Sequence, residues 1–170
     1  SEMCIRARPD SVPMIDVLLP VYTGAATIEE SVASLLSQTV SNIRVLVVDD
    51  GSTDETPHIL DALSRKDPRV EVIRKPNSGI VDALNLGLAH ATAPFVARQD
   101  ADDVSFPDRF LRQLEAFDSR DDVIAISGSC VHIDTAGRET GSRYAPPDPD
   151  KANNCPLYPP DAATPPTPPP

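Results

Sequence analysis

The sequence predicts an α/β protein with a mostly parallel sheet flanked by helices, and three observations carry that prediction. Short apolar runs alternate along the chain with segments whose apolar residues repeat at helical spacing, in the order β-α-β-α-β-α-β-α-β. The run Ile43 to Val48 is almost wholly apolar, as strands covered on both faces are. At 170 residues and 18.2 kDa the chain has room for one ordinary domain, not two.

Each element has its own warrant. Ile15-Asp16-Val17-Leu18-Leu19 forms a first strand ending at Pro20. Ile28, Val32, Leu35 and Leu36 make one helical stripe, with Thr27-x-x-Glu30 as its capping box. After the strand Ile43 to Val48, Thr53 or Asp54 caps a helix whose inward stripe is Ile59, Leu60 and Leu63. Val70 to Ile73 is a third strand; Ile80, Leu84, Leu88 and Ala91 mark the next helix; Phe95-Val96-Ala97 is a fourth strand. Pro107 suits the first turn of a helix carrying Phe110, Leu111, Leu114 and Phe117, and Val123 to Ser127 reads as a closing strand.

Residues 1–12 show no periodicity and read as a loose segment, leaving 13–144 as the folded domain. Eleven of the 19 prolines fall between Pro146 and Pro170, so 145–170 reads as a proline-rich tail, extended or disordered, unable to continue a helix or donate within a sheet. The net charge of −11 argues against nucleic acid as a partner, because binding a phosphate backbone needs clustered Lys and Arg. Aromatics are only 4% and Trp is absent, which disfavours base-stacking platforms and aromatic sugar-binding floors. No apolar run is long enough to span a bilayer and no leader pattern opens the sequence, so the expected location is the cytoplasm. Cys4, Cys130 and Cys155 lack ligand spacing and read as free thiols, while His58, His90 and His132 lack short His-x-His spacing and read as surface or packing residues.

In parallel sheets ligands bind beyond the carboxyl ends of the strands, so the polar residues there matter most. The first strand runs into Pro20-Val21-Tyr22-Thr23-Gly24, the second into Asp49-Asp50-Gly51-Ser52-Thr53-Asp54, and the fourth into Arg98-Gln99-Asp100-Ala101-Asp102-Asp103. Carboxylates concentrated on one rim repel one another unless a positive group relieves them. An Asp-x-Asp turn offers two hard oxygen donors, which suits Mg²⁺ or Mn²⁺ with positions left open for phosphate oxygens. Taken singly, Asp54 and Asp103 read as helix-capping residues; Asp50 and Asp102 together point to a ligand site.

Several motifs, in order, carry a resemblance. They are Pro20-Val21-Tyr22-x-Gly24, Ser37-Gln38-Thr39, Val47-Val48-Asp49-Asp50-Gly51-Ser52-Thr53-Asp54, Asn77-Ser78-Gly79, Ala83-x-Asn85-x-Gly87, Ala97 to Asp103, and Pro107-Asp108-Arg109. From Ile15 to about Ser129 the chain resembles the nucleotide-sugar-binding half of family 2 glycosyltransferases. The resemblance implies a Rossmann-like sheet of GT-A type, and inverting transfer of a sugar from a nucleoside-diphosphate sugar, UDP-sugar first, to an acceptor hydroxyl. That acceptor is unknown and belongs to polysaccharide or glycolipid synthesis, with peripheral contact at the inner face of a membrane where lipid-linked acceptors reside.

The implied roles fall on particular residues. Asp50 receives the base, helped by backbone near Pro20 and by Tyr22. Asp100 and Asp102 form the DXD motif: Asp100 lies toward the ribose, and Asp102 holds Mn²⁺ or Mg²⁺ on the diphosphate. Ala101 lies between them in the donor site. Gly79 forms a nearby wall with Asp82 as a weaker contact, and Arg98 serves either phosphate charge or structure. The chain departs from the family beyond this half. The resemblance implies a further acceptor-binding region that supplies the catalytic base, so the sequence reads as truncated before it, and neither Asp134 nor Glu139 sits in a matching motif.

Binding of a nucleotide sugar without turnover is therefore the first alternative. A haloacid-dehalogenase-type phosphatase, with Asp100 as nucleophile in Asp100-Ala101-Asp102-Asp103-Val104, is a second, although that motif normally opens its domain and needs a later lysine. A signalling receiver fits less well, since Asp49-Asp50 follows the second strand and no lysine lies between Lys75 and Lys151.

Overall fold

The computed structural model describes residues 13–119 and 123–143. The loose segment expected at 1–12, the tail expected at 145–170, Cys4 and Cys155 lie outside the described residues. The chain divides into two compact units between Ser119 and Arg120.

The first unit alternates strand and helix: β1 (Ile15–Val21), α1 (Ile28–Leu36), β2 (Ile43–Asp49), α2 (Thr56–Lys66), β3 (Val70–Arg74), α3 (Ile80–His90), β4 (Phe95–Arg98) and α4 (Arg109–Asp118). Its four strands are all parallel, in the order β3-β2-β1-β4. Because side chains alternate across a strand, two faces emerge from the register. Ile15, Val17, Leu19 and Val21 of β1 join Ile43, Val45 and Val47 of β2 in a core with Ile28, Val32 and Leu35 of α1, Leu60 and Leu63 of α2, and Phe110 of α4. On the opposite face α3 lies against β1 and β2, with Gly87 close to Leu18 and Val48. This two-sided cover explains the apolar character of the second strand.

Pro20 continues β1 instead of ending it, pairing with Val48. In a parallel strand the N–H and C=O of one residue point to the same side. Leu18 accepts from Gln99 toward β4, so residue 20 also faces that side, beyond the last residue of β4. The missing N–H of proline therefore deprives no ladder partner.

Some local expectations are corrected. Thr27 makes no side-chain cap; the first turn of α1 is instead closed by the Gly24 carbonyl, which accepts from Thr27 and Ile28. Pro107 stands outside α4, two residues before Arg109. Val123 to Ser127 is not a strand. An apolar run becomes a strand only when a ladder partner is available, and this run has none among the described residues.

The second unit instead contains an unexpected antiparallel hairpin, β5 (Cys130–Ile133) with β6 (Glu139–Arg143). Asp134 closes its turn by accepting from Ala136 N (2.9 Å) and Arg138 N (3.0 Å), and Gly137 takes φ +74°. Cys130 is an exposed free thiol. No helix among the described residues is long and apolar enough to cross a membrane.

Candidate functional site

Four parallel strands place all their carboxyl ends on one edge of the sheet, so the polar turns picked out in the sequence share that edge. The chain builds β1, β2 and β3 outward in one direction, then returns to lay β4 on the other side of β1. That reversal makes a crevice at the end of β1, the usual ligand position in open α/β sheets. Asp50 follows β2 and Asp100-Ala101-Asp102 follows β4, one strand to either side of β1. With neighbouring strands about 4.8 Å apart, the two strand axes are about 10 Å apart, a span that suits a small ligand.

Asp49 and Asp50 are adjacent but serve different partners. Asp49 is buried and accepts from Ser52 N (2.9 Å), which folds the turn back on its own strand. Asp50 is only 4% exposed. Its Oδ1 accepts from Lys75 Nζ and from Ser78 N (3.0 Å), and its Oδ2 accepts from Gly79 N (2.8 Å). Burial by itself would raise the Asp50 pKa, but the Lys75 ammonium and the two backbone N–H groups overcome it and hold the carboxyl below its ordinary value.

Two glycines permit this arrangement. Gly79 has φ +96° at the entrance to α3. Gly51 has φ +77°, and a Cβ there would lie 2.7 Å from Asn77 N, so only glycine lets the two loops approach.

The turn after β1 is fastened to the turn after β2. Thr23 N donates to Ser52 Oγ (2.9 Å), Gly24 N to Thr56 Oγ1 (2.9 Å) and Ala25 N to Asp54 Oδ2 (3.1 Å). Thr23 carries φ +55°, a strained value for a β-branched residue. Asp54 also accepts from Thr56 N (3.0 Å), the first residue of α2, although Glu55 and neither Thr53 nor Asp54 holds the N-cap position. Tyr22, beside this strained residue, is 55% exposed, and Pro20 is half-buried at the end of β1.

Beyond β4, Arg98 is exposed and its guanidinium grips Asp100 (Nη2 to Oδ1 2.8 Å). Asp102 is exposed and accepts no hydrogen bond among the described residues. Partial burial first, then the charges of Asp100 and Asp102, push the Asp103 carboxyl above its ordinary value. Ala101 packs against the core and lies near Gly24, where a Cβ added to the glycine would meet it at 3.8 Å, so the loops after β1 and β4 run close together. Asp82 stands exposed on the first turn of α3 and joins neither acidic cluster through a hydrogen bond.

No cage of three His, Cys, Asp or Glu side chains exists among the described residues. A Mg²⁺- or Mn²⁺-type site needs none, since such ions keep waters and take one or two carboxylates plus phosphate oxygens. A hydrogen-bond-free Asp102 carboxylate inside a self-repelling cluster fits that donor set.

Residues without an assigned role prove to hold the acidic loop. Gln99 is 2% exposed. Its amide nitrogen donates to Ser31 Oγ (2.9 Å), Ser34 Oγ (3.3 Å) and the Asp103 carbonyl (3.1 Å); its oxygen accepts from Ser105 Oγ and from Arg109 Nη1 (3.0 Å). Arg109 also donates to the Arg98 carbonyl (2.9 Å). Gln38 donates to the Phe106 carbonyl (2.7 Å), and Thr39 N to that of Pro107 (2.9 Å).

Thus Ser37-Gln38-Thr39 and Pro107-Asp108-Arg109, far apart in sequence, buckle the Asp100–Asp103 loop onto α1 and α4. One signal was available beforehand: Ser31 and Ser34 interrupt the buried stripe of α1, and a polar residue on a buried stripe requires a partner. Lys75 carried no comparable signal. Asp134, the downstream acid, is committed to the hairpin turn, and the Arg138 backbone first, then its side chain, hold its carboxyl below the ordinary value.

Comparison with known proteins agrees with this geometry. An uncharacterized glycosyltransferase of Haemophilus influenzae is 33% identical over 125 residues, 73% of this chain and 38% of the relative. Hyaluronan synthase of Pasteurella multocida is 37% identical over 106 residues, 62% of this chain and 11% of the synthase. Among solved structures, the mannosyltransferase PcManGT of Pyrobaculum calidifontis, in complex with GDP-Man and Mn²⁺, superposes with a TM-score of 0.59 at 26% identity, covering 72% of this chain and 38% of that one. TarS of S. aureus in complex with UDP gives 0.57 at 29% identity, covering 62% and 32%. The matched stretch therefore spans well under half the length of each of these proteins. The family model described as glycosyl transferase family 2 matches residues 16–163. With the parallel sheet, the acidic tips beside β1 and this match across most of its length, the chain belongs to glycosyl transferase family 2.

Proposed function

We propose that this chain is an inverting, metal-dependent glycosyltransferase, or the donor-binding half of one, that takes a sugar from a nucleoside-diphosphate sugar and passes it to an acceptor hydroxyl in polysaccharide or glycolipid synthesis. One observation carries the reading: the acidic tips after β2 and β4 flank the end of β1 on a single sheet edge. Further support comes from solved structures that share this fold and hold UDP, UDP-GlcNAc, or GDP-Man with Mn²⁺.

In this reading Asp50 accepts an N–H of the base, with Pro20 and Tyr22 bordering the base slot and Gly79 forming its wall beside Asp82. Asp100 faces the ribose and Ala101 the donor, while Arg98 offsets phosphate charge. Asp102, with Asp100 as second donor, would hold Mn²⁺ or Mg²⁺. Such an ion, when bound, offsets the negative charge of the diphosphate. The acceptor oxygen attacks the anomeric carbon as the bond to the diphosphate oxygen breaks, and holding both reactants in line lowers the entropic barrier.

The acceptor proton requires a carboxylate base, and none of the described residues is assigned that task. The engagement of Asp134 in its turn favours a second reading, donor binding without turnover. Titration calorimetry with UDP and UDP-sugars, with and without Mn²⁺, tests donor binding, and release of UDP separates the two readings. Asp102→Asn removes the metal-dependent part of the affinity; a titration identical to wild type overturns the assignment.

A further inference from the structure

The Asp50 carboxylate presents a countable resource. A carboxylate has about four acceptor positions. Lys75 Nζ and Ser78 N occupy two on Oδ1, and Gly79 N occupies one on Oδ2. A single position on Oδ2 remains. Lys75 is equally committed: its three N–H groups go to Asp50, to the Pro76 carbonyl (2.9 Å) and to Ser78 Oγ, and its side chain is 15% exposed. It has no donor left for a ligand. Its work is to neutralise Asp50 and to clamp residues 75–79 against the end of β2.

We propose that Lys75 is a positioning residue that fixes Asp50 as a one-position hydrogen-bond acceptor and thereby selects a uracil-type base, whose edge offers one imide N–H. This rests on the reading of Asp50 as the base-binding residue. Adenine and cytosine present a ring nitrogen lone pair beside their amino group, which an ionised carboxylate repels. Guanine presents two adjacent donors where one position is open. Uracil offers a single N3–H, and the acceptor count matches it. Without the ammonium, a carboxylate this deeply buried has nothing but two amides to oppose the cost of desolvation, and once protonated it ceases to be a pure acceptor. The charges adjacent in sequence do not replace Lys75, because Asp49 carries the same sign as Asp50 and Arg74 lies toward Asp49 and Asp61.

The test compares the affinities of UMP and 3-methyl-UMP, which lacks the N3–H, by calorimetry on the whole chain. A hydrogen bond to a charged acceptor contributes about 1.5–3 kcal/mol, so wild type should prefer UMP by roughly 10- to 150-fold. Lys75→Met and the milder Lys75→Gln should bring that ratio down toward one, with thermal melts confirming that the variants fold. A role confined to folding would weaken both ligands alike and leave the ratio unchanged.

If Asp50→Ala abolishes the preference while both Lys75 variants keep it, the Lys75 inference is overturned and the Asp50 reading stands. If Asp50→Ala keeps the wild-type preference, the Asp50 reading itself fails and takes the inference with it. A wild type that binds both nucleotides equally overturns the inference without any variant.

Discussion

Asp16 offers the sharpest test of what holds the sheet together. It lies in β1 on the face opposite the main core, fully buried, and its carboxylate accepts four hydrogen bonds. They come from Arg44 Nε (2.8 Å), Arg44 Nη2 (2.9 Å), Thr92 N (2.6 Å) and Ala93 N (2.9 Å). Arg44 in turn reaches Glu71 and the His90 carbonyl, so one charge ties β1, β2, β3 and the end of α3.

Asp16→Ala takes from the guanidinium its closest ionic partner, leaving it the more distant Glu71, and leaves two backbone N–H groups without their acceptor. Removing one partner of a buried ion pair costs about 3–5 kcal/mol. The orphaned amides add to this less than additively, and partial exposure of Arg44 lets water recover some of it. A net loss of about 3 kcal/mol is therefore expected, a large fraction of the ~5–15 kcal/mol that ordinary domains possess. Urea denaturation followed by circular dichroism should show a lower midpoint with an unchanged slope.

The pH dependence carries a sign. Burial raises the Asp16 pKa, but Arg44 and the Ala93 and Thr92 amides outweigh it, and the folded value lies below the unfolded one. The associated stability is present above about pH 4 and is lost as pH falls through the folded value. The gap between wild type and Asp16→Asn should accordingly shrink in acid. A loss below ~1 kcal/mol for Asp16→Ala, or a gap indifferent to acid, would refute the reasoning.

Two other variants probe the site's supports. Gly51→Ala places a Cβ 2.7 Å from a backbone nitrogen at φ +77°, and should cost ~1–3 kcal/mol in thermal unfolding while weakening UMP binding through the displaced 75–79 loop. Gln99→Leu keeps the volume but strips partners from Ser31, Ser105, Arg109 and the Asp103 carbonyl. It should destabilise by about 2–4 kcal/mol and reduce the Mn²⁺-dependent part of UDP affinity more than the metal-independent part.

Much of the architecture was legible because it is written locally. Alternating strand and helix patterns, apolar faces and acidic turns depend on neighbours within a few residues, and the ordered motifs carried the family. Local reading also misled in places. The Thr27 box was pre-empted by the Gly24 carbonyl, and the apolar run Val123–Ser127 lacks a ladder partner while the less apolar Cys130–Ile133 found one across a glycine turn.

Tertiary structure alone decided the strand order, and with it the placement of Asp50 and Asp102 on either side of β1. It also decided the Lys75–Asp50 link across 25 residues and the Gln99–Ser31 link across 68. The reason is physical. A residue's own propensity says whether it is extended or helical, but which distant group meets its hydrogen-bonding atoms depends on which faces bury against each other, and that is settled only when the whole sheet is assembled.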